Sequence, residues 1–152
     1  MSSDPLKKAR GIAYRLLGMR ARTVQQIRDR LIKKEIPEDI TVQVIDELVE
    51  AGYVDDLAFA RNYIEYRLRG KPYGPYWLRS SLLRTGVARE LIDTALSEVF
   101  VPGREEELAQ LYLSQIYQRS EMPTQKAMRR LLARGFSRQA AFHALRDIIE
   151  VN

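Results

Sequence analysis

Apolar residues recur at steps of three and four along most of the chain, which is the spacing of one face of an α-helix. Short β-branched stretches such as 42–45 lie inside these longer patterns, so strands are not expected. The pattern predicts an all-α protein. In the first fifty residues it comprises three groups: Ile12, Ala13, Leu16 and Leu17; Ile27 and Leu31; Ile40, Val44, Ile45 and Leu48.

Polar residues, prolines and glycines at fixed offsets divide this pattern into separate helices. Thr23 with Gln26 three residues later predicts a capping box at the start of the second helix. Pro37 suits the first position of the third helix, and Asp55 can cap the fourth. Gly86 can end the fifth helix in the left-handed conformation.

The apolar pattern repeats about every fifty residues. A shift of 51 places Ile27, Leu31, Ile36, Val44, Ile45 and Leu48 on Leu78, Leu82, Val87, Ala95, Leu96 and Val99. A further shift of 49 gives Ala127, Leu131, Phe136, Ala144, Leu145 and Ile148. The sequence predicts three tandem, helix-turn-helix-like repeats of three helices, 1–54, 55–103 and 104–152, packed into an elongated modular body.

The charge balance favours an anionic partner without requiring one. Lys and Arg number 25 against 20 Asp and Glu, a formal charge of +5, and solvated helix surface explains this excess equally well. The chain has no Cys, which removes disulfides and thiolate chemistry. No stretch approaches the ~20 apolar residues of a membrane span. We expect a cytoplasmic protein without a membrane or targeting segment.

The sequence lacks a recognisable catalytic set. His143 is the only His, and a surface or half-buried helix position is the better interpretation than a metal ligand. The carboxylates of Asp55, Asp56 and 105–107 open predicted helices, where they favour the positive end of the helix dipole. We expect no enzyme activity, no metal, no cofactor and no small-molecule substrate.

Basic residues near the glycine-rich segment 70–75 form the first candidate binding surface. The segment matches no phosphate-binding loop, and a rigid connector is one interpretation of it. The alternative is that Arg67, Arg69 and Lys71 converge there with the exposed start of a helix that Gly74 and Pro75 open.

The second helices of the repeats form another candidate surface. Arg28 and Lys33 of the first repeat fall on Arg79 and Arg84 of the second. In the third repeat Lys126, Arg129, Arg130 and Arg134 crowd the corresponding helix at other positions. Along the first helix, Lys8, Arg15 and Arg22 are seven residues apart, which predicts a basic stripe suited to a phosphate backbone or an acidic protein groove.

Several aromatic residues lie among these charges in the middle repeat. Tyr63 occupies the position of Ile12 and is expected to pack in the core. Tyr73, Tyr76 or Trp77 could be exposed, either as anchors for a protein partner or as platforms for single-stranded bases.

The first two repeats resemble the RecX family of bacterial regulators. The matching pattern has a basic segment followed by an apolar helix, then short motifs in the second repeat, and it covers nearly the whole chain with the weakest match in the third repeat. The matching residues are Arg20, Arg22 and Leu31; Gly52, Tyr53, Val54, Asp55, Asp56, Phe59 and Ala60; Arg67, Gly74, Pro75, Leu82, Gly86 and Val87.

Glu35 stands where the later repeats have Gly86 and Gly135, which puts one turn geometry in doubt. The resemblance implies a regulator that lodges in the groove of a RecA filament on single-stranded DNA and modulates, usually inhibits, recombination and ATP hydrolysis by RecA. The alternative is an autonomous helix-turn-helix protein that binds duplex DNA without RecA.

Overall fold

The computed structural model describes residues 4–119 and 121–151, with side chains as far as Ile148. This part of the chain contains helices and no strand, which confirms the all-α prediction. The helices are α1 Pro5–Met19, α2 Val24–Lys33, α3 Glu38–Glu50, α4 Asp56–Gly70, α5 Pro75–Arg84, α6 Arg89–Val99, α7 Arg104–Arg119, α8 Thr124–Ala133 and α9 Arg138–Val151.

The predicted helix boundaries follow from local hydrogen bonds. The capping box at Thr23 is confirmed: its hydroxyl accepts from the Gln26 amide, and the Gln26 side chain accepts from the Thr23 amide, each at 3.1 Å. Asp55 caps α4, as predicted. Pro37 is the residue before α3 rather than its first residue, because its ψ of 148° is extended and the helix begins at Glu38. That prediction was wrong by one position.

The nine helices of the described residues pack in groups of three, and every extensive helix–helix contact lies within a group. Each group has its own buried apolar cluster. A side-chain hydrogen bond at equivalent positions joins the first and third helix of each group. The pairs are Arg10 with Glu47, Arg61 with Glu98, and Gln110 with Asp147. We propose on this basis that 1–54, 55–103 and 104–152 are three repeats.

The second helices of successive groups pack end to end. The Thr23 hydroxyl at the start of α2 donates to the carbonyl of Thr85, the residue after α5, at 2.6 Å. The Gly74 amide at the start of α5 donates to the carbonyl of Arg134, the residue after α8, at 2.8 Å. We call this arrangement of α8, α5 and α2 the helix row. It orders the three groups along one direction.

The packing within groups leaves an extended surface. The accessible area is 9836 Å², whereas a compact monomer of 17.6 kDa exposes about 7,900 Å². The larger area agrees with the predicted elongated body. None of the described helices is long and apolar enough to cross a membrane.

The predicted basic stripe along the first helix is wrong for Arg22. The helix α1 ends at Met19, and Arg20 already has extended backbone angles, φ −169° and ψ 166°. Arg22 therefore lies in the connection to α2, where it cannot continue the stripe of Lys8 and Arg15. The turn at Glu35 has the left-handed geometry of the equivalent glycines, with φ 61°.

Candidate partner-binding surface

Charge is segregated between helices, and the helix row is basic. Three Lys or Arg and one Asp give α2 a net charge of +2, two Arg give α5 +2, and one Lys and two Arg give α8 +3. The third helices of the first two groups are acidic, because α3 has five Asp or Glu and no Lys or Arg, and α6 has three acids and one Arg. Anionic partners are therefore expected along the helix row.

A second basic feature lies at the turn from α4 to α5. A shallow cavity of about 470 Å³ opens there, lined by three cationic side chains, two tyrosines and a glycine. We call it the α4–α5 site. Its residues are Tyr66, Arg67, Arg69, Gly70, Lys71 and Tyr73. The predicted convergence of Arg67, Arg69 and Lys71 is thus what the described residues show at this turn.

Aromatic rings hold Arg67 in place. Its guanidinium carbon lies 5.2 Å from the ring centre of Tyr63, 5.8 Å from Tyr66 and 5.6 Å from Trp77. Contacts of this kind stabilise a cation over a ring by about 0.5–2 kcal/mol. Arg67 Nε is buried without a hydrogen-bond partner in the described part of the chain. Arg67 is therefore a fixed positive charge at the wall of the cavity.

The third repeat supports the other wall of the α4–α5 site. Tyr73 and Trp77 stack with ring centres 4.0 Å apart. The Arg134 guanidinium covers Tyr73 at 4.2 Å and Tyr112 at 5.0 Å, and it donates to the Pro72 carbonyl at 3.1 Å. These contacts make the loop a rigid connector, as one interpretation of segment 70–75 predicted. Anion binding by its cations, the other interpretation, stays a prediction. No local pattern in the sequence indicated that Arg134 would reach this turn.

Three of the seven candidate cations form ion pairs. Arg28 pairs with Glu38 at 3.0 Å, and Arg79 pairs with Asp93 at 2.9 Å, each within its own repeat. Arg69 pairs with Glu65 one helical turn away at 2.6 Å. Exposed pairs of this kind contribute only about 0–1 kcal/mol, so a stronger anion can displace these carboxylates.

Three of the other four candidates are both exposed and without an ion-pair partner in the described part of the chain. Lys33 and Arg84, which occupy equivalent positions in the last turns of α2 and α5, are exposed, and so is Lys71. Among residues 4–119 and 121–148 the structure gives none of them an ion-pair partner. These three side chains are the most readily available cations of the predicted set.

The aromatic side chains of the middle group differ in their exposure. Tyr63 packs against the core of the middle group, as predicted, and its hydroxyl contacts the Ser81 hydroxyl. Tyr76 is 55% exposed, whereas Tyr73 and Trp77 are half-buried between the second and third groups. Tyr66, which is 68% exposed at the α4–α5 site, is a better base platform or anchor than either. Its exposure depends on tertiary packing and has no signal in the sequence.

A carboxylate joins the first and second groups. Asp56, the first residue of α4, accepts a hydrogen bond from the Val24 amide at 3.0 Å. Burial raises the pKa of Asp56, and the hydrogen bond from Val24 opposes that shift by favouring the charged form. Asp56 therefore caps α2 from the neighbouring repeat, in addition to its predicted role at the start of α4.

Chemistry other than binding finds little support among the described residues. They contain no group of three or more His, Asp or Glu placed to hold a metal ion. His143 is half-buried on α9, with its ring edge-on to Phe142 at 6.2 Å. The surface described above can bind anions, bases and acidic side chains.

Comparison with known proteins identifies the family. Residues 9–48 match the family model for the first three-helix domain of RecX, and residues 55–96 match the model for its second three-helix domain. The chain belongs to the RecX family. RecX relatives carry the name regulatory protein, so the family is one of regulators and not a family of enzymes.

Relatives and solved structures agree with this assignment. The regulatory protein RecX of Streptomyces lividans is 34% identical over 97% of this chain and 80% of its own length. That of Leuconostoc citreum is 34% identical over 91% of this chain, which spans 53% of the relative. A crystal structure of RecX from Lactobacillus salivarius superposes with a TM-score of 0.83 at 20% identity, over 95% of this chain and 96% of that one, and shows the shared fold.

A second crystal structure, of regulatory protein RecX, has a TM-score of 0.79 at 27% identity. It covers 95% of this chain and 72% of the other. The resemblance to RecX proposed from the sequence is therefore confirmed, and the chain has the fold of the RecX proteins whose structures are solved.

Proposed function

We propose that this protein binds the RecA filament on single-stranded DNA and inhibits recombination and ATP hydrolysis by RecA. The observation that supports this most is the segregation of charge, which places the positive helices α2, α5 and α8 end to end in the helix row. A filament repeats its binding sites along one direction, and a row of cationic elements can meet several of them. RecA, and not this chain, would hydrolyse ATP.

Distributed contacts suit such a partner because weak individual contacts add up when they are linked. Lys33 and Arg84 offer equivalent charges on consecutive members of the row, and the α4–α5 site adds Lys71 and the exposed ring of Tyr66. Arg28, Arg69 and Arg79 can join them by exchanging their carboxylate partners for a filament anion. The seven cations predicted from sequence remain the proposed contact set.

Reversal of two row charges tests this proposal. In the Lys33→Glu/Arg84→Glu variant we expect binding to RecA filaments to weaken on the order of 100-fold, since two attractive contacts become repulsive. Cosedimentation with filaments assembled on single-stranded DNA measures binding, and the ATPase rate of RecA measures regulation. Lys7→Glu/Arg89→Glu is the matched control, because it makes the same change in net charge at exposed positions on α1 and α6.

The control should bind and inhibit within about threefold of the unchanged protein, because its charges lie off the helix row. Circular dichroism should show the same helix content in both variants. Unchanged RecA turnover on single-stranded DNA at saturating protein would exclude the proposed function. Equal losses in the two double variants would exclude the helix row as the contact surface.

The structure disfavours the alternative of an autonomous helix-turn-helix protein. In that motif the second helix of the pair enters the major groove and needs positive or neutral residues facing the phosphates. The corresponding helices of the first two groups are α3, with five acids and no Lys or Arg, and α6, with a net charge of −2. The third helix of the last group, α9, has two Arg and two acids and does not argue against this alternative. Tight binding to duplex DNA without RecA, with sequence preference, would nevertheless establish this alternative.

A further inference from the structure

A second basic cavity lies in the first repeat, between the end of α1 and the outer face of α2. Its volume is about 490 Å³. Four cationic side chains line it, together with the apolar side chains of Leu16 and Met19 and one carboxylate. We call it the α1–α2 pocket. Its cations are Arg20, Arg22, Arg30 and Lys33.

The connection between the two helices places Arg22 in this pocket. The chain leaves the helical conformation at Arg20 and becomes helical again only after the Thr23 cap. Thr23 is fully buried, so the residue before it is fixed at the base of α2. Arg22 is half-buried, and its Nε group is buried with no hydrogen-bond partner within the described residues. An unpaired buried donor is unfavourable, and more so when it is charged.

The cations of the pocket repel one another. Burial, followed by the charges of Arg20 and Arg30, lowers the pKa of Arg22. The one carboxylate in the lining, Asp29, accepts a hydrogen bond from the side-chain Nε2 of Gln25 at 2.7 Å, and no ion pair joins it to a pocket cation in the part of the chain that is described. The pocket therefore holds a concentration of positive charge that its own residues leave uncompensated.

We propose that the α1–α2 pocket is a phosphate-binding site that takes a phosphodiester group of a nucleic-acid backbone. A guanidinium offers parallel N–H donors that match the oxygens of a phosphate, and three guanidinium groups line this cavity. The lining contains no aromatic ring on which a base could stack, in contrast to the α4–α5 site. The pocket therefore suits the sugar-phosphate backbone of a nucleic acid and gives no preference for base sequence.

A polymer of phosphates fits this charge better than a protein carboxylate does. Four cations face one cavity, whereas an acidic side chain supplies a single negative charge at the end of its own stem. Consecutive phosphodiesters bring several charges on one strand and release bound counterions as they are neutralised. This assignment rests on the proposed function only for its biological setting, because the ligand can be tested without RecA.

Two probes distinguish the binding of free phosphate from the binding of a nucleic-acid backbone. Inorganic phosphate is titrated into the isotopically labelled full chain while the Nε–H signal of Arg22 is followed by NMR. A fluorescein-labelled 15-residue oligodeoxythymidine is titrated separately, and anisotropy gives its affinity at several salt concentrations. We expect the Arg22 signal to shift with both probes, and with the oligonucleotide at far lower concentration, since a strand presents many phosphates.

The Arg22→Ala/Arg30→Ala variant should bind the oligonucleotide about tenfold more weakly or worse, and its salt slope should fall by about 1.4, because each lost single-strand phosphate contact contributes about 0.7. Lys7→Ala/Arg89→Ala is the matched control, with the same loss of charge at exposed positions outside the pocket. Its affinity should change less than twofold. Removal of Arg22 also removes an unpaired buried donor, so the variant should fold, which circular dichroism verifies.

Three outcomes would overturn the assignment. The first is an Arg22 signal that moves with neither probe. The second is an equal loss of binding in the two double variants, which would reduce the effect to net charge. The third is a decaglutamate peptide that shifts the Arg22 signal at concentrations where the oligonucleotide does not, which would make the ligand an acidic protein. If the unchanged protein inhibited RecA but did not bind the oligonucleotide, this site alone would be excluded. If the unchanged protein bound phosphate and the oligonucleotide but had no effect on RecA, only the proposed function would be excluded.

Discussion

Alanine at Gly74 tests how the helix row is joined. A Cβ atom at Gly74 would lie 2.2 Å from the carbonyl carbon of Gly135 and 2.3 Å from its oxygen. The φ of Gly74 is −87°, which any residue adopts, so the substitution introduces a collision and no backbone strain. The obstructing atoms are backbone atoms, which cannot rotate away. Relief of the collision requires the start of α5 to move from the end of α8.

Substitutions at two other glycines separate the cost of the collision from the cost of backbone strain. Gly103 has a φ of +91° and open space around its Cβ position, so Gly103→Ala introduces strain alone. Gly135 combines a φ of +92° with a Cβ position 2.2 Å from the Trp77 amide nitrogen, so Gly135→Ala introduces both effects. Left-handed backbone costs a side-chain-bearing residue about 1–2 kcal/mol. Overpacking costs about 1–3 kcal/mol.

The expected loss in free energy of unfolding is therefore about 1–2 kcal/mol for Gly103→Ala, about 1–3 kcal/mol for Gly74→Ala, and about 2–5 kcal/mol for Gly135→Ala. Urea unfolding followed by circular dichroism measures these values. Trp77, the single Trp of the chain, lies at this junction, so its fluorescence reports the displacement directly. Its emission should change in Gly74→Ala and Gly135→Ala and stay constant in Gly103→Ala.

The reasoning would be refuted if Gly74→Ala kept its stability within about 0.5 kcal/mol of the unchanged protein with the same Trp77 emission. It would also fail if Gly135→Ala were no more destabilising than Gly103→Ala, since strain would then explain the whole effect. The third repeat would in either case be joined less closely than the distances indicate.

Two further predictions concern the first and second repeats. Glu35→Gly should raise the free energy of unfolding by about 1 kcal/mol, because glycine adopts a φ of 61° without the strain that a side chain causes there. A lower urea midpoint would contradict this. Hydrogen bonds from Arg10 and Arg61 hold the pKa of Glu47 and of Glu98 below the ordinary carboxyl range. The unfolded chain then binds more protons than the folded one, so stability is lost as pH falls below that range. Urea unfolding at neutral and acidic pH should show a smaller loss in Glu47→Gln/Glu98→Gln; an equal loss would exclude these pairs as a cause.

The sequence predicted most of the fold because its determinants are local. Helical spacing of apolar residues, the Thr23 capping box and the glycine after α5 each depend on residues a few positions apart. The family resemblance rested on short motifs such as Gly52 to Asp56, which lie at one helix junction. Pro37 was misplaced by one residue because proline suits both the cap and the first helical position.

The candidate site was harder to predict because it depends on neighbours from distant parts of the chain. Arg28 and Arg79 look equivalent to Lys33 and Arg84 in sequence, yet the first two meet carboxylates on the adjacent helices. Arg22 continues the seven-residue spacing of Lys8 and Arg15 in the sequence, but α1 ends before Arg22. Side-chain spacing predicts a shared face only while the helix continues.

Glu35 shows what decides the identity of a residue in this repeat. Glu35, Gly86 and Gly135 occupy equivalent turns, and all three have a positive φ. A Cβ at Gly86 would collide with Gln25 of the first repeat, and one at Gly135 would collide with Trp77 of the second, whereas the Glu35 side chain is exposed. Left-handed backbone is thus tolerated with a side chain, and the close approach of a preceding repeat is what requires glycine at Gly86 and Gly135. Glu35 lies two residues after Lys33, one of the cations that line the proposed phosphate site.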